Sequence, residues 1–97
     1  MTLADLEAAV TARAPLPLEA PPLLRALWFD ATGDWAHAHA VAQDVHTSEG
    51  SWVHAYLHRK EGDLDNAGYW YRQAGRTAAS GPLEAEWRAI AAALTSA

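Results

Sequence analysis

Cysteine is missing altogether from this chain of 97 residues. That excludes disulfides, thiol nucleophiles and the cysteine-based structural zinc sites. Positive charge is scarce: seven Lys and Arg against twelve Asp and Glu leave a net charge of −5 with histidine neutral. Phosphate neutralisation dominates nucleic-acid affinity, so no nucleic-acid partner is expected. No apolar run approaches the roughly 20 residues a membrane-spanning helix needs, and no membrane partner is expected. Residues 1–7 carry neither a basic leader nor an apolar signal core, so export is not expected and a cytoplasmic location is. Glycine-rich phosphate loops, nucleophile elbows and Cys/His pairs are also missing. The chain therefore offers no catalytic residues and reads more as a non-enzyme than as an enzyme.

What is present is 51% apolar and 20% charged, a globular composition of a length that carries one core. Apolar residues recur at spacings of three and four, which predicts an all-α fold of five to six helices in a single domain over residues 1–97. An N-terminal helix is expected over residues 2–14, with Thr2 as its N-cap and Asp5 in a box-like position. The proline-rich segment 15–22 must break it, since proline lacks the amide donor and restricts the residue before it. A second helix starts near Pro22 with Leu23, Leu24, Leu27 and Trp28. A third runs from about Trp35 to His46, a fourth from about Ser51 to Glu61, and a fifth from Leu64 to about Ala78. The fifth has a small-residue face (Ala67, Gly68, Tyr71, Ala74, Gly75, Ala78) that predicts close backbone approach. Pro82 suits the first position of a capping helix over residues 82–95, which buries Leu83, Trp87, Ile90 and Leu94 and frays after Thr95.

Two boundaries use one device. Gly33-Asp34 and Gly62-Asp63 each place glycine where a helix ends and aspartate where the next begins. Glycine tolerates the left-handed closing conformation, and the Asp oxygen accepts an orphan amide of the new helix. Turns this short force neighbouring antiparallel helices, and their spacing of 29 residues signals an internal repeat across residues 23–79. Gly62-Asp63-Leu64-Asp65-Asn66-Ala67, then Tyr71 and Ala74, resembles the second half of a tetratricopeptide motif. Leu23, Ala26, Phe29, Gly33, Asp34 and Ala38 look like a degenerate first copy. The period is shorter than the ~34 residues of that repeat, His58 stands where the motif has a large apolar residue, and Ala42 replaces an aromatic one. The string over residues 52–76 is also similar to small bacterial proteins. The resemblance implies hairpins stacked as a short right-handed superhelix, and for function a module that binds a protein, a peptide or its own copy, with a homodimer expected from poorly capped ends.

The chemistry-bearing candidates lie on the fourth and fifth helices. His54 and His58 are four apart, so both imidazoles project from one face, the spacing of a two-histidine metal site. An alternative function is therefore a small-ligand or metal site around His54, His58 and Tyr69, and such a site could be enzymatic. No cofactor is expected unless a divalent metal binds there, and the third ligand would then come from Asp30, Glu61 or Asp65. The alternative is that both imidazoles are buried and hydrogen-bonded, because that helix is apolar nearly all round and its polar residues must find partners. His37, His39 and His46 read as solvated helix face. In the tetratricopeptide register, Trp52, Tyr56, Arg59 and Lys60 would line a concave surface. Tyr69, Trp70 and Tyr71 span about 200° of helix. Tyr71 fits the interior, and Tyr69 or Trp70 beside Arg72 and Arg76 would be interface anchors.

Overall fold

The computed structural model describes residues 1–95, among which six helices and no strand occur. The fraying expected after Thr95 lies outside the described residues. Helix α1 (Leu3–Ala12) begins with the full capping box: the Thr2 hydroxyl accepts from the Asp5 amide and the Asp5 carboxylate accepts from the Thr2 amide. It closes on Arg13 in the left-handed conformation. After the proline-rich linker, α2 (Pro22–Ala31) uses proline at its first positions, where the missing amide costs nothing.

Both Gly-Asp turns form as the sequence demands. Gly33 (φ 93°) and Gly62 (φ 90°) take the left-handed conformation that favours glycine. The carboxylates of Asp34 and Asp63 accept from the amides of His37 and Asn66, starting α3 (Trp35–Gln43) and α5 (Leu64–Gln73). In consequence α2 doubles back on α3, and α4 (Ser48–Glu61) on α5. Helix α3 also packs on α4, which joins the two hairpins, while α6 (Leu83–Leu94) covers α4 and α2, and α1 packs on α2.

Three boundaries differ from expectation. Helix α4 begins a turn early, at Ser48, because Thr47 caps it by accepting from the Gly50 amide. Helix α3 stops at Gln43, before His46. Helix α5 stops at Gln73, because Gly75 adopts φ 69° and turns the chain away. The small-residue face of α5 is correspondingly shorter than expected: Ala67 and Tyr71 are buried, but a side chain at Gly68 would meet only the Arg72 guanidinium. The glycine that requires close approach is Gly50, where a Cβ would lie 2.0 Å from the Val45 carbonyl oxygen.

The core runs along α4, whose positions Trp52 to His58 are all buried. Leu6, Leu24, Leu27 and Ile90 from three other helices join its Val53 and Leu57 in that core. Two acids are buried with it and both are satisfied. Asp30 accepts from the Tyr56 hydroxyl (2.7 Å) and the Lys60 ammonium (2.8 Å). Glu86 accepts from Trp52 Nε1 (3.1 Å), Arg59 Nη1 (3.0 Å) and the Tyr71 hydroxyl (2.6 and 2.8 Å to its two oxygens). That second network bolts α6 to α4 and α5.

Candidate functional site: an imidazole cluster between three helices

Where α3, α4 and α5 meet, each contributes a pair of side chains four residues apart, and hence on one face: Trp35 and His39, His54 and His58, Asn66 and Trp70. The three imidazoles converge. His54 Nε2 lies 3.0 Å from His39 Nε2, a hydrogen bond in which one ring donates and the other accepts. Offering one nitrogen each, His39, His54 and His58 bring these atoms within 4.8 Å of one another. His54 and His58 stack at 4.8 Å between ring centroids, with His39 edge-on to both at 4.7 and 5.1 Å.

Indoles close the cluster on two sides. Trp70 stacks on His54 at 4.1 Å and Trp35 on His39 at 4.9 Å. Trp35 is itself fixed by donating Nε1–H to the Leu57 carbonyl at 2.8 Å. The tautomer of His58 follows from its neighbour. Glu61 Oε2 sits 2.6 Å from His58 Nδ1, and because a carboxylate only accepts, Nδ1 carries a proton and Nε2 is the nitrogen left to ligate. From α5, the Asn66 amide nitrogen lies 3.4 Å from that Nε2.

Burial and crowding favour the neutral form of His54 and His39. Burial, followed by the neighbouring His39 and His58, pushes the His54 imidazole down to about 4. Burial also lowers His39, with His58 adding to the effect and Glu61 opposing it. Three rings this close cannot all be charged, and neutral imidazole is the form that ligates metals.

The expected concave aromatic surface is partly covered, although Tyr56 and Lys60 line one cleft with Trp87 and Trp52 lines another. Trp52 and Tyr56 are buried, at 7% and 2% exposure, because α6 and the end of α2 cover them. Arg59 is turned inward, donating to Glu86 and to the Gly81 carbonyl. Arg76 stacks over Trp52 at 3.3 Å instead of flanking Tyr69. Arg72 is exposed, and so is Tyr69 at 47%, edge-on to the half-buried Trp70. Burial raises the Tyr56 and Tyr71 hydroxyls, and their bonds to Asp30 and Glu86 raise them further, so neither is a base or nucleophile at neutral pH.

The ligand set differs from expectation in one member. His37 and His46 are exposed as anticipated, but His39 is half-buried and completes the cluster. Of the three acids expected as third ligand, Asp30 is engaged by Tyr56 and Lys60, Asp65 is exposed on α5, and Glu61 stands behind His58 on its far nitrogen. The signal that could have found His39 is its spacing from Trp35, the same four-residue step as His54 to His58. Recognising it requires knowing that α3 packs on α4.

A cleft of about 420 Å³ opens beside His54, lined by His46, Ser51, Tyr69, Trp70 and Gln73 among others. It brings one ring of the cluster, His54, to the wall of a cleft. No family model matches the chain, and no curated protein or solved structure does.

Proposed function

We propose that this protein binds a divalent transition metal through His39, His54 and His58. The observation that supports this best is the meeting of three imidazoles from two helices, one of them backed by a carboxylate. Metal-bound histidines commonly donate their other ring N–H to a carboxylate, which fixes the ring and raises its basicity, and Glu61 stands in that position behind His58. Two arms of about 2.05 Å at a tetrahedral angle place their nitrogens about 3.3 Å apart. The 3.0 Å pair need open only slightly, and the widest separation, within 4.8 Å, closes by rotation of the rings. An all-imidazole set favours zinc, nickel, copper or cobalt over magnesium or calcium.

The test is thermal unfolding with zinc and with chelator. Binding to the folded state alone adds about 2.7 kcal/mol at a hundredfold excess over the dissociation constant, or about 10 °C for a domain of this size. The parent and His37→Ala should show that rise, and His39→Ala should lose it. An equal response in His39→Ala, or none in the parent, contradicts the proposal.

A second reading treats the hairpins as a tetratricopeptide-like scaffold for a protein, a peptide or a second copy, and Tyr69 favours it. That large aromatic is 47% exposed beside Trp70 at the mouth of the cleft, the profile of an interface anchor. Tyr69→Ala should then change self-association in sedimentation without changing stability. An unchanged association state would remove this support.

A further inference from the structure

We propose that a metal held by the three histidines keeps one coordination position for an exchangeable ligand from outside the chain, a water molecule or a small anion. This deepens the metal-binding reading and rests on it. Closed structural sites for zinc-like ions take four protein donors, whereas sites that exchange ligands have three and a solvent position. The donor count here is three. Among the described residues, the only groups of metal-ligating side chains this close are the three imidazoles and a set formed by His58, Glu61 and Asp63. The latter shares His58 with the cluster, but Glu61 already accepts from its Nδ1, on the opposite side of the ring from Nε2.

Asn66 is a rival for the fourth position. Its amide lies 3.4 Å from His58 Nε2, and a half-turn of that amide would present its oxygen. A neutral amide oxygen suits harder ions better than those an imidazole set selects, so it is a poor competitor for water or an anion. Access supports the same conclusion. His54 forms part of the wall of the cleft that carries Ser51, Tyr69, Trp70 and Gln73, and a small ligand can reach that ring along it. The two stacked indoles leave an apolar surround on either side, in which an anion facing a dication is held more strongly than in open water.

The experiment loads the full chain with cobalt(II) and follows its visible absorption while azide, and separately imidazole, is added. The expected result is a set of cobalt bands that shift with one-site saturation. Asn66→Ala should bind cobalt and respond in the same way. Cobalt bands that form in the parent but stay unchanged with both ligands would overturn the exchangeable position while leaving the metal site intact. A response appearing only in Asn66→Ala would assign the fourth position to Asn66 and also overturn it. Failure to develop cobalt bands at all would reject the metal-binding reading and the inference together.

Discussion

Acid should loosen this protein through its imidazole cluster. In the unfolded chain His54 takes up a proton near the ordinary value of 6.5, but in the folded protein only near 4. Between those values the unfolded state binds more protons, so stability is complete above about 6.5 and is lost as pH falls towards 4. One pKa unit corresponds to about 1.4 kcal/mol; between pH 7 and pH 5 the ceiling for His54 is just under 2 kcal/mol, and screening at the cleft side reduces it to about 1 kcal/mol. His39, lowered for the same reasons, acts in the same direction. The assay is urea unfolding of the parent and of His54→Gln at pH 7, 6 and 5, with a chelator present. The parent should lose about 1 kcal/mol more than the variant over that range, equivalent to about 4 °C in midpoint. A parent whose stability is flat from pH 7 to 5, or that falls in parallel with His54→Gln, would refute the reasoning.

Other perturbations test the frame that holds the cluster. Glu86→Ala strands Trp52 Nε1 and the Tyr71 hydroxyl and leaves Arg59 with only the Gly81 carbonyl; removing one member of a buried ion pair costs about 3–5 kcal/mol. Glu86→Gln, which keeps the shape and accepts some of those bonds, should cost clearly less in urea unfolding. Equal losses would mean that packing, not polar satisfaction, holds α6. Gly50→Ala drives a methyl into the Val45 carbonyl and should cost about 2 kcal/mol or more. Gly68→Ala meets only the Arg72 guanidinium, at an ordinary contact distance of 3.5 Å, and should instead gain roughly 0.5–1 kcal/mol from helix propensity in the same assay.

The sequence was most legible where one residue does one local job. Asp34 and Asp63 cap, Gly33 and Gly62 close, and the hairpins follow from those turns without any knowledge of packing. The four-residue step from His54 to His58 also showed the two rings sharing a face, as their stacking bears out. What could not be read is set by contacts distant along the chain. His39 is 15 positions from His54 and joins it only because α3 lies against α4. Its place on α3, one residue round from the buried Ala38, looks like solvent from helical periodicity alone. Trp52 and Tyr56 looked available for a partner because nothing local announces that Glu86 and Asp30 wait for them on other helices. Small residues on α5 suggested close approach at Gly68, while the real close approach, Gly50 against Val45, arises from an early α4 start fixed by the Thr47 cap.

The most direct test of the account is histidine-selective nitrogen-15 NMR of the full chain with and without one equivalent of zinc. The signals report each ring nitrogen separately. The account predicts that Nε2 of His39, His54 and His58 move together into the metal-bound range, that His58 Nδ1 stays protonated towards Glu61, and that His37 and His46 do not move. Shifts confined to His37 and His46, or unchanged spectra for the three clustered rings, would contradict it.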